Sequence, residues 1–178
     1  MRAILCAALA WATLAISSAV PQPTSPAWRT LTNRGGWSIE YPPLWQVSSC
    51  TNCPDPTAPE VYVTFSLPSS RASTVMVEPL ADRPADQSVD AWLEKIKRSN
   101  NLNPIETESS TTVNGLPGLR VRYRHASGCQ IEETYLVAGS KTYAISLTCQ
   151  ELAKKSEGVA NYPLYQRMVE TFKARGSC

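Results

Sequence analysis

Residues 119–149 read LRVRYRHASGCQIEETYLVAGSKTYAISLTC, and the fold is decided there. Leu119, Val121 and Tyr123 alternate with Arg120, Arg122 and Arg124, and a turn signal follows at Ala126-Ser127-Gly128. Ile131, Tyr135 and Val137 then resume the apolar face, and a second turn around Gly139-Ser140 leads to Tyr143, Ile145, Leu147 and Cys149. Residues two apart share one face of a strand, so this alternation, broken twice by turn residues, predicts a three-stranded antiparallel meander.

The same alternation predicts register, because a slip of one residue exchanges the two faces of a strand. With the odd-numbered apolar residues on one face, Arg122 falls opposite Glu132 and Arg124 opposite Gln130 in the first hairpin. That reads as a polar outer face carrying a cross-strand charge pair, rather than as a phosphate site built from Arg120, Arg122, Arg124 and His125. In the second hairpin a turn centred on Gly139 pairs Tyr135 with Tyr143, Ile131 with Leu147 and Cys129 with Cys149. Opposed cysteines at the closer spacing of about 4.5 Å can be bridged. The expected disulfide Cys129–Cys149 closes a loop of about twenty residues, a constraint worth on the order of 3 kcal/mol.

Glu133 is the exception on the apolar face, falling between Ile131 and Tyr135. A buried carboxylate there has a raised pKa, and with Tyr123 and Tyr135 it forms the one candidate pocket. The bland alternative is a sheet-margin residue that reaches water.

Upstream, Trp37, Ile39 and Tyr41 form a short half-buried strand stopped by Pro42-Pro43, and Leu44, Trp45 and Val47 lead into a loop. Val61 to Leu67 and Thr74 to Glu78 read as further strands, the second ended by Pro79. Ser88 caps a helix whose Val89, Trp92, Leu93 and Ile96 recur at helical spacing. Ile105 to Val113 reads as an edge-like strand before the turn Asn114-Gly115, and a last helix is expected from about Pro163 to Lys173. Antiparallel strands with one central and one terminal helix make an α+β domain, a sheet packed by helices.

The N-terminus sets the address. Arg2 is the only charge before Arg29, residues 3–16 are apolar apart from Thr13, and Ser17-Ser18-Ala19 supplies small residues. This is the pattern of a signal peptide cleaved near Ala19, too short for a membrane span of roughly 20 apolar residues. The expected mature chain is secreted or periplasmic, with a Pro-rich lead-in at 20–33 and a single domain at 34–178. Loss of Arg2 takes the net charge from +2 to about +1, too little to steer nucleic acid or an anionic membrane.

Five cysteines follow the cleavage point, and in an exported protein they are first read as disulfides. Cys50-Thr51-Asn52-Cys53 has the CxxC spacing, but Pro54, Pro56 and Pro59 deny it the helix N-terminus that stabilises a reactive thiolate. A zinc site lacks two further ligands with suitable spacing. A structural Cys50–Cys53 bridge is therefore expected, which leaves Cys178 as the odd thiol. There is no phosphate loop, no nucleophile elbow and no HExxH, so no catalytic, cofactor or metal residue is assigned.

Gly36-Trp37-Ser38-Ile39-Glu40-Tyr41-Pro42, Trp45, Trp92-Leu93, the segment Thr112 to Gly118, Glu133-Thr134-Tyr135 and Thr171-Phe172-Lys173 together resemble the PsbP/Mog1-like family over about residues 33–173. The resemblance implies an antiparallel sheet between helices (an α/β/α sandwich), no enzymatic activity and a role as an accessory or assembly factor. Export excludes the nuclear GTPase partner of the Mog1 branch, and no family contact residue matches a position here. The expectation is a monomeric, non-enzymatic module that binds another extracytoplasmic protein or complex. Two alternatives stay open: a thiol–disulfide protein acting through Cys50 and Cys53, and a carrier of a small apolar ligand.

Overall fold

The computed structural model describes residues 27–49, 62–68, 70–99, 105–124, 130–149 and 155–175. Residues 1–26, with the expected signal peptide, and Cys50, Cys53, His125, Cys129 and Cys178 lie outside the described residues. Among the described residues, ten strands and two helices run in the order β1 (Arg29–Thr32), β2 (Trp37–Tyr41), β3 (Gln46–Ser49), β4 (Val63–Leu67), β5 (Ser70–Pro79), α1 (Val89–Ser99), β6 (Ile105–Val113), β7 (Leu116–Arg124), β8 (Gln130–Ala138), β9 (Lys141–Cys149), α2 (Lys155–Thr171) and β10 (Lys173–Ala174). They form a small sheet, β1-β2-β10, and a seven-stranded sheet, β3-β4-β5-β9-β8-β7-β6, in which all neighbouring strands pair antiparallel.

The expected meander is β7-β8-β9, and its first hairpin has the expected register: Arg122 faces Glu132 and Arg124 faces Gln130. The second does not. Ala138 pairs with Lys141 and Tyr135 with Ala144, one residue away from the expected Tyr135–Tyr143 pairing. The cause is a two-residue turn in which Gly139 has φ +64°, which suits the first central position of a type II′ turn. Odd residues of β8 consequently share a face with even residues of β9. The expected Cys129–Cys149 bridge involves Cys129, which lies outside the described residues.

Two apolar clusters account for this parity. On one face Leu119, Val121, Tyr135, Val137 and Ala144 pack against Trp92, Leu93 and Ile96 of α1. On the other, Leu136, Tyr143, Ile145 and Leu147 meet Tyr165, Met168, Val169 and Phe172 of α2, together with Trp37, Ile39 and Tyr41 of the small sheet. Each such side chain contributes roughly 1.5–3 kcal/mol when fully buried. A helix on each face buries β8 from both sides, and period-two alternation then ceases to label inside and outside.

Local chemistry supports each element. Ser88 caps α1, with Ala91 N–H donating to Ser88 Oγ at 3.2 Å, and Trp92 Nε1 donates to Thr142 Oγ1 at 2.8 Å in the interior. Asn114 (φ 49°) and Gly115 (φ 81°) make the expected turn between β6 and β7. Asn114 Nδ2 also donates to the Glu170 and Phe172 carbonyls, both at 2.8 Å, fastening that turn to the end of α2. Gly118 allows close strand approach, since a Cβ there would collide with the Tyr135 carbonyl and Leu136.

Three elements depart from expectation. Residues 29–32 of the supposed lead-in are strand β1, paired with β2 from Arg29–Tyr41 to Thr32–Ser38. Residues 46–49, expected to be a loop, form β3 against β4. Helix α2 starts at Lys155, not near Pro163, which lies inside it. That proline removes one helical hydrogen bond, and complete burial of Tyr165, Met168, Val169 and Phe172 offsets the loss.

Candidate functional site

The end of the β7–β8 hairpin nearest its connecting segment carries a polar cluster on each face, and adjacent residues of β8 head them. Towards α2, the Glu132 side chain is only 3% exposed. Arg122 Nε and Nη2 donate to its Oε2 at 3.1 and 2.8 Å, and Tyr162 Oη donates to its Oε1 at 3.1 Å. Arg122 Nη2 also reaches Tyr162 Oη at 2.9 Å, with its guanidinium 5.2 Å from the centre of the Tyr162 ring. Its hydrogen bonds to Glu132 push the Arg122 pKa further up.

Arg120 is served less well. Its Nε lies 3.6 Å from Glu132 Oε1, inside ion-pair range but beyond hydrogen-bond range, and this buried nitrogen has no hydrogen-bond partner among the described residues. The expected polar outer face is thus corrected: the Arg122–Glu132 pair forms, but Glu132 is interior because α2 extends far enough to lay Tyr162 over it.

Towards α1, the predicted trio does assemble. Tyr123 Oη donates to Glu133 Oε1 at 3.0 Å and Tyr135 Oη donates to Glu133 Oε2. Burial, then the Glu133 charge, pushes the Tyr123 pKa up, so this phenol stays protonated and donating. Glu78 on β5 belongs to the same neighbourhood. Burial, followed by repulsion from Glu133, raises its carboxyl above the ordinary 4.5.

Sequence reasoning missed Glu78 and Tyr162, which come from distant elements; only the spacing of Tyr162 and Tyr165 hinted at a helix face over the sheet. It also missed a cleft of about 450 Å³ at the far end of the molecule, lined by Arg29, Tyr41, Trp45, Gln46, Val47, Ser48 and Ser66. Among the described residues no group of three or more His, Cys, Asp or Glu could hold a metal ion. No helix among them is long and apolar enough to cross a membrane.

No protein-family model matches the chain, and no curated protein does. Solved structures do. The solution structure of cyanobacterial PsbP (CyanoP) from Synechocystis sp. PCC 6803 superposes with a TM-score of 0.58 at 12% identity, covering 89% of this chain and 98% of that one. The chain has a PsbP-like fold. The PsbP-like match is of architecture, since identity is far too low to carry residues across. A protein of unknown function from Pseudomonas aeruginosa, described as a putative regulator, matches at TM-score 0.49 and 12% identity, over 84% of this chain and 99% of that one. A Bacteroides thetaiotaomicron protein matches at 0.48 and 14% identity, over 82% and 48%.

Proposed function

We propose that this chain is a non-enzymatic binding module of PsbP-like fold that works outside the cytosol on another protein or complex. The observation that carries the reading is that every oxygen of both carboxylates at the hairpin end is engaged by the protein's own donors. Glu132 accepts from Arg122 and Tyr162, and Glu133 accepts from two phenols. A general base must be positioned to take a substrate proton, whereas here each carboxylate is oriented by, and spends its acceptor strength on, groups of the fold itself. Accessory roles in the resembled family and the signal-like N-terminus agree with this reading.

The test is to isolate the exported protein from its own host after mild chemical cross-linking. A new N-terminus at Val20 and a stoichiometric partner cross-linked to one surface support the proposal. An uncomplexed protein whose Cys50 titrates well below pH 7 and exchanges with glutathione disulfide would replace it with a thiol–disulfide function.

A further inference from the structure

The free edge of the large sheet and the under-served arginine behind it point to the kind of partner. Strand β6 ends the sheet, and among the described residues β7 is its only neighbour. Exposed strand edges invite pairing with another chain and are usually blunted by charges, bulges or proline. Here those devices occupy one half of the strand. A register irregularity falls between Ile105 and Thr107. Glu106 is tied to Arg124 and Gln130, and Glu108 to Lys97. From Ser109 to Thr112 the strand carries four consecutive small hydroxyl residues and no charge.

On the α2 side of that unguarded half, Ser109 stands opposite Arg120. Arg120 and Arg122 share the single carboxylate of Glu132, whose oxygens already accept from Arg122 and Tyr162. Among the described residues the local balance is one surplus positive charge on a guanidinium that is 28% exposed. A strand added to β6 would lie about 4.8 Å beyond it. Side chains of that strand on the α2 side would be separated from Arg120 only by the serine hydroxymethyl. A carboxylate in that row would face the exposed part of the Arg120 side chain and balance its charge.

We infer that the Ser109–Thr112 half of β6 receives an extended acidic segment of a partner protein as an eighth strand, with a partner Asp or Glu paired to Arg120. This is strand addition, in which main-chain hydrogen bonds supply affinity and side-chain contacts supply selectivity. It rests on the binding-module reading and specifies its partner chemistry.

The probe is a synthetic peptide of alternating Thr and Glu, compared with its Thr–Gln counterpart, titrated into the ¹⁵N-labelled exported chain. Shift changes should concentrate in the amides of residues 108–112 and at Arg120 Nε–H, with the Glu peptide binding about tenfold tighter. Ser109→Glu gives Arg120 an internal partner. That variant should lose the preference for the acidic peptide while its melting temperature rises, a combination that misfolding cannot produce. Equal affinity for the two peptides, no binding of either at millimolar concentration, or shifts confined to another surface overturns the inference. Identical shifts with inorganic sulfate overturn it too, leaving an adventitious anion contact. If it fails while the cross-linked partner maps elsewhere, the binding-module reading survives without it.

Discussion

Glu132 and Glu133 are neighbours in sequence, lie on opposite faces of β8, and are satisfied by opposite means. The α2 face meets its carboxylate with permanent charge, two guanidiniums and a phenol. The α1 face meets its carboxylate with neutral donors alone, the Tyr123 and Tyr135 hydroxyls. In the first cluster, removing the acid strands positive charge beneath a helix. In the second it strands two phenols, at a cost nearer that of ordinary hydrogen bonds. Alternation along one strand thus produces an electrostatic cluster and a neutral one within a single peptide step.

The largest expected effect is at Glu132. Glu132→Ala should destabilise by about 2–3 kcal/mol in chemical denaturation at neutral pH, because it leaves the part-buried Arg122 beside Tyr162 without its counter-charge, a loss that solvent only partly screens. A loss below about 1 kcal/mol would mean that solvent, not Glu132, compensates these arginines. Glu133→Gln should cost less, about 1 kcal/mol, since the amide oxygen still accepts from one phenol. Equal losses for the two substitutions would erase the distinction between the faces. Tyr162→Phe follows at about 1 kcal/mol. It removes a donor to Glu132 Oε1 and an acceptor from Arg122 but leaves the Arg122–Glu132 bonds in place. A loss as large as that of Glu132→Ala would make Tyr162, not charge, the centre of the cluster.

The same comparison marks where the sequence could be read. The β7–β8 register and the Tyr123–Glu133–Tyr135 grouping were legible because Leu119, Val121 and Tyr123 keep strict alternation with arginine. Helix α1 was legible for the same reason at helical spacing, with Ser88 as its cap. Legibility failed at Tyr135 to Ala138, where four successive residues are buried and period two carries no sign. The β8–β9 register, and with it the cysteine arithmetic, inherited that ambiguity. Strands β1 (RTLT) and β3 (QVSS) have few apolar residues of their own, and their extended form comes from pairing with β2 and β4. Alternation alone puts Glu132 on a polar outer face, and the cover comes from α2, which extends back past Pro163 and carries Tyr162 over the sheet.

The smallest effect tests whether the neutral face is electrostatically quiet. Glu78 has its carboxyl raised above 4.5, chiefly by burial and then by Glu133. A raised folded-state value means that the folded protein binds this proton more tightly than the unfolded chain does. The favourable contribution is therefore present below the unfolded value and lost as pH rises through the folded one. At neutral pH the ionised Glu78 is a small liability. Glu78→Gln should raise the melting temperature at pH 7 by about 1–2 °C, less than a full kcal/mol because the site is part-exposed and screened. At about pH 3.5 both forms are neutral and the gain should vanish. In a Glu133→Gln background the gain at pH 7 should shrink without disappearing, because burial is the larger cause and remains when the second charge is gone. A gain that is the same at both pH values would assign it to packing and remove Glu78 from the cluster.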